Sequence, residues 1–129
     1  MDVANYSRMG VAVLDGCIET DRLDKIAFDL MAVAERVASQ NDIEFCGTES
    51  LELILVRLAE ADISLYLTWL RGCESLASLY DLVNHHRLVA FSQRVAGLQL
   101  LHTPVRPALH CYHPRISEIL LSAGGFSDL

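Results

Sequence analysis

The chain has 129 residues, 17 of them acidic and 10 Lys or Arg, for a formal net charge of −7. A single domain is expected at this length, with enough chain to bury a core without disulfide or metal staples. The acidic balance argues against general nucleic-acid binding. The apolar run at 51–70 is interrupted by Glu52, Arg57, Glu60 and Asp62, so it does not read as a membrane span.

Taken in chain order, residues 1–19 are ambiguous. Residues 9–14 fit either a short strand or a helical turn, with Gly10 and Gly16 weakening both. Thr20 or Asp21 reads as the N-cap of a helix over 20–39, because Leu23, Ala27, Leu30, Ala34 and Val37 recur at three-four spacing. Residues 40–47 form a loop around Asn41-Asp42. Thr48 then caps a second predicted helix over 49–71, whose apolar stripe runs from Leu51 to Trp69 with Asp62 as its one interruption. Gly72 ends it.

A third helix is predicted over 74–101. One face reads Leu76, Tyr80, Val83, Arg87, Phe91, Arg94, Leu98 and Leu101, the alternation of a packed seam, and its polar strip (Asp81, His85, Ser92, Gln99) is narrow. The three prolines, Pro104, Pro107 and Pro114, all follow it, so nothing upstream forces a helix to break. Pro114 opens a last helix over 114–123, and residues 124–129 form a loose tail. The expected fold is therefore all-α: one domain of about four helices, with the second and third paired as a central antiparallel hairpin.

Charge divides the chain. Residues 1–62 carry −8 and residues 63–129 carry +1, and residues 82–117 contain no acid but hold four Arg and all five His. Such a split brings complementary parts together, within one molecule, between copies or with a foreign partner. Arg87 and Arg94 fall in the apolar seam, where an unpaired guanidinium is costly. Folding the hairpin about 74–75 places Asp62 opposite Arg87 and predicts an ion pair between them. The alternative role for Arg87 and Arg94 is to reach acids on another chain.

The four Cys (Cys17, Cys46, Cys73, Cys111) form no C-x-x-C pair, and the first residues lack the features of a secretory signal. Reduced thiols in a cytoplasmic protein are expected. His110, Cys111 and His113 are the best metal candidates by residue type, although no spacing supplies the remaining ligands. Cys111 beside two His also has the elements of a nucleophile pair, but no nearby acid or Asn orients a base. No phosphate loop, nucleophile elbow or H-E-x-x-H motif occurs, so no cofactor is expected.

The apolar fraction of 52% and the mean hydropathy of +0.30 are high for so short a chain and point to surface covered by a partner. These features describe a non-enzymatic regulator or adaptor. It would bind another protein, and itself as a homodimer, through apolar helix faces, with Tyr80, Arg87, Phe91, Arg94 and Leu98 in the contact. The alternatives are a metal-binding sensor using the loop at 110–113 and a nucleic-acid-binding regulator using the acid-free stretch at 82–117.

Overall fold

The computed structural model describes residues 6, 8–11, 13–97 and 109–123. Among these residues the fold is all-helical, with no strand. Six helices have seven or more residues: α1 (Thr20–Gln40), α2 (Leu51–Ala61), α3 (Ile63–Cys73), α4 (Ala77–Val83), α5 (His86–Ala96) and α6 (Pro114–Ser122). Tyr6, Arg8 and Met9 are helical as well. No helix among the described residues is long and apolar enough to cross a membrane.

Two of the four expected helices are each divided, which raises the count to six. The run predicted over 49–71 breaks at Asp62, which is extended (φ −166°, ψ 121°) and serves both as the C-cap of α2 and the N-cap of α3. Its carboxylate accepts a hydrogen bond from the Ser64 N–H at 2.9 Å. An aspartate can replace helical hydrogen bonding with this local one, so it starts a helix better than it continues one. The run predicted over 74–101 breaks at Asn84 and His85, and α5 ends at Gly97, whose left-handed φ of 69° suits a residue without Cβ. The predicted linker, the end of the third helix beyond residue 97 and the tail at 124–129 lie outside the described residues.

The core sits where α1, α2, α3 and α6 meet. Ala34, Val37 and Ala38 of α1 are buried against Ile54, Leu55 and Leu58 of α2 and against Tyr66, Trp69 and Cys73 of α3; Ile116 and Leu120 of α6 close the cluster. Trp69 is 1% exposed, and its indole N–H donates to the Leu30 carbonyl at 3.0 Å, which ties α3 to α1. At Gly72 a Cβ would lie 3.2 Å from Val33 Cγ1, so the two helices approach closely there. The predicted stripe of α1 enters this core only in its C-terminal half; Leu23 is 48% exposed and Phe28 is 69% exposed.

α1 packs against α2, α3 and α4, and α2 packs against α3 and α6. α5 has no comparably extensive contact with another helix among the described residues, and it contains no buried residue.

Candidate functional site

Two helices start on a histidine. At α5, His85 Nδ1 accepts the Arg87 N–H at 3.1 Å while Nε2 meets Glu19 Oε2 at 2.9 Å. At α6, His113 Nδ1 accepts the Arg115 N–H at 3.1 Å while Nε2 meets Glu52 Oε1 at 2.8 Å. In each, the acceptor nitrogen caps the helix and the other nitrogen carries the proton toward a carboxylate, which assigns the Nε2–H tautomer when the ring is neutral. His85, expected on the solvated strip of a long helix, is instead 2% exposed and stacked on His86 with ring centroids 4.6 Å apart. Glu19 is held well below its ordinary value, at about 2, first by a backbone N–H and then by the His85 imidazole.

Arg87 does not pair with Asp62. Its Nη1 donates to the Gly16 carbonyl at 2.8 Å and the Cys17 carbonyl at 3.1 Å. The expected register assumed two unbroken helices; the breaks at Asp62 and His85 remove it, and Asp62 is occupied as a cap. The charge split is nevertheless used inside the molecule. His85 reaches Glu19, His113 reaches Glu52, and Arg115 reaches Glu60 at 3.2 Å.

Arg87 thereby fastens the chain at 16–17 to the start of α5. Farther along, Tyr6 meets Phe91 edge-on at 5.8 Å between ring centroids. The segment between these two attachments exposes Met9, Val11 and Val13, at 65%, 63% and 78%. Three exposed apolar side chains within five residues, held against a helix by contacts on either side, form the most concentrated apolar surface in the described N-terminal region. Arg94 is exposed, Tyr80 is half-buried, and Leu98 lies outside the described residues.

The residues expected at a metal site are not brought together as ligands. Both nitrogens of His113 are committed, His110 is exposed, and Cys111 is half-buried beside the Tyr66 hydroxyl. Burial pushes the Cys111 thiol up, and pushes the Cys73 thiol up to about 12. Among the described residues no group of three or more His, Cys, Asp or Glu is arranged to hold a metal ion.

A cleft of about 450 Å³ lies between the start of α1 and α4. α1 contributes Asp21, Arg22, Lys25 and Ile26 to its walls, and α4 contributes Ser78, Asp81 and Leu82. Arg22 pairs with Glu19 at 3.2 Å and Lys25 with Asp29 at 2.8 Å. Asp21 and Asp81 form no ion pair among the described residues. Ser78 is 9% exposed and its Oγ has no hydrogen-bond partner. The Asp29 carboxyl is held down first by the Lys25 ammonium and then by the neighbouring Ser78 hydroxyl.

Nothing in the sequence marked this cleft. Asp21 read as a cap and Asp81 as part of a solvated strip; only the fold sets them beside a buried serine. No protein-family model, curated protein or solved structure matches the chain.

Proposed function

We propose that the chain is a non-enzymatic regulator or adaptor of the cytoplasm. It pairs with a second copy of itself and docks another protein through the surface formed by Tyr6, Met9, Val11, Val13 and α5. The supporting observation is the exposure of Met9, Val11 and Val13 on a segment fastened to α5 by the Tyr6–Phe91 and Arg87–Gly16 contacts. Burying three such side chains stabilises an association by roughly 25 cal/mol per Å² of apolar area removed from water, before the cost of association is met.

Tyr6, Met9, Val11 and Val13 replace the seam residues as the centre of the contact. Arg87 is committed to backbone carbonyls and Phe91 is covered in part by Tyr6, so both act as supports. Arg94, exposed in the last turn of α5, remains in the proposed contact and is available to an acidic group on the facing chain. In this reading the acidic half of one copy meets the basic half of another.

The test is a photoreactive amino acid at position 13, irradiated in the purified protein. Cross-links joining two copies through residues 6–17 or 86–96 are expected. Cross-links confined to the same chain, or to residues scattered over the surface, would count against the reading.

A further inference from the structure

We infer that protonation of His85 releases α5 from the rest of the fold, so that the start of this helix acts as an acid-operated latch. α5 contains no buried residue and has no extensive contact with another helix among the described residues. Hydrogen bonds at its N-terminal end tie it to residues 16–19. His85 Nε2 meets Glu19 Oε2 at 2.9 Å, and Arg87 Nη1 donates to the Gly16 and Cys17 carbonyls. These bonds therefore weigh heavily in its attachment. The device belongs to a single chain and does not rest on the assembly proposed above.

The latch is set only while Nδ1 of His85 is unprotonated, because that nitrogen accepts the Arg87 N–H at 3.1 Å. Histidine is the side chain whose charge ordinarily changes in mild acid. A proton on Nδ1 turns the acceptor into a donor facing another donor, and the cap is lost. The new charge would sit in a ring whose side chain is 0% exposed, at the positive end of the α5 dipole. His86, stacked on it at 4.6 Å, and Arg87 crowd it with further basic groups. Glu19 pulls the other way, since its carboxylate attracts an imidazolium. That carboxylate is 46% exposed and shared with Arg22 at 3.2 Å, so the attraction is screened. Asp21 of α1 and Asp81 of α4 are exposed and line the cleft with Arg22, where water screens them as well. Glu19 keeps its charge down to about pH 2, so mild acid acts on the imidazole and not on its partner. α6 starts on the same histidine–carboxylate arrangement, but Ile116 and Leu120 fix it in the core and hold it when His113 is protonated.

Hydrogen exchange of the full chain, resolved by NMR at about pH 7.5 and about pH 5, tests the latch. After correction for the intrinsic exchange rate, protection of the α5 amides should fall by about tenfold in acid, the scale of one lost side-chain cap. The amides of α3 and α6 should keep theirs. Ring nitrogen shifts should show Nδ1 of His85 gaining its proton over the same range. His85→Asn offers a cap acceptor that does not titrate, so its α5 should be equally protected at both pH values. His86→Asn should keep the wild-type response. Unchanged α5 protection in the wild type, or an Nδ1 that stays unprotonated while α5 opens, would overturn the latch without recourse to any variant. An equal fall in His85→Asn would overturn it too. The fall should be the same at two protein concentrations; one seen only at the higher would belong to separating copies and count against the latch.

Discussion

Replacing His85 with alanine removes a side chain that joins the start of α5 to the segment before α1. The ring is fully buried, its Nδ1 caps α5, and its Nε2 holds Glu19 in the segment before α1. Loss of a side-chain N-cap costs about 1 kcal/mol. Deleting a buried ring adds about 2 kcal/mol for lost packing and the cavity left behind. The expected loss is about 3 kcal/mol, a large part of the roughly 5–15 kcal/mol that stabilises a domain. Urea denaturation followed by the fluorescence of Trp69, the chain's one tryptophan, reads this directly. With a slope of about 1–3 kcal/mol per molar, the midpoint should fall by about 1–3 M. His85→Asn separates the terms, because asparagine restores a cap acceptor and should recover about 1 kcal/mol. Equal destabilisation by the alanine and asparagine variants, or a loss below about 1 kcal/mol for alanine, would refute the capping role.

Other outcomes follow from the same geometry. The folded-state value of Glu19 lies below its ordinary 4.5, at about 2, so the stability it contributes is fully present above pH 4.5 and is lost as pH falls toward 2. Glu19→Gln should therefore flatten the acid limb of a stability–pH profile, and added salt should shrink the difference, since Glu19 is exposed. Thiol labelling should be ordered. Cys46 is exposed and its thiol is held down chiefly by hydrogen bonds from Thr48, so it should react first; Cys73, buried and pushed up to about 12, should react only on unfolding. Thr48→Ala should slow Cys46 without altering the others. Asp42 has a φ of 57°, the left-handed region that favours glycine, so Asp42→Gly should raise the thermal midpoint by the equivalent of about 0.5–1 kcal/mol.

The legible part of the fold was the part governed by apolar periodicity. Leu30, Ala34 and Val37, then Leu55, Leu58 and Trp69, mark helices at three-four spacing, and Pro114 stands at the first position of α6 as its fixed φ favours. The breaks were not legible, because periodicity passes through them. Asp62 sits on the same stripe whether the helix continues or restarts, and its capping of Ser64 is a local hydrogen bond that competes invisibly with the helical one. Two signals were available in principle: an aspartate two residues before a serine, and Gly97 inside a supposedly continuous helix. His85 gave less warning, since histidine is not a favoured cap and its second bond goes to Glu19, 66 residues away.

The site followed the same pattern. Tyr80, Phe91 and Arg94 were chosen because they share one face of a long helix, and the break at His85 places Tyr80 on a different helix from the other two. Arg87 was singled out for the cost of burying it, but it is exposed, and its guanidinium donates to the carbonyls of Gly16 and Cys17. No spacing rule connects residues 16 and 87. Met9, Val11 and Val13 alternate as a strand would, which left their segment ambiguous, and only the fold shows them exposed beside α5.

Sedimentation equilibrium of the wild-type chain and of Val11→Asp/Val13→Asp tests the proposed assembly most directly. Both residues are exposed, so the paired change should leave the fold and its urea midpoint intact. A wild-type dimer at micromolar concentration and a monomeric double variant are the expected result. A wild-type chain that stays monomeric, or a double variant that still dimerises with undiminished affinity, would contradict the claim that Tyr6, Met9, Val11, Val13 and α5 form the contact surface.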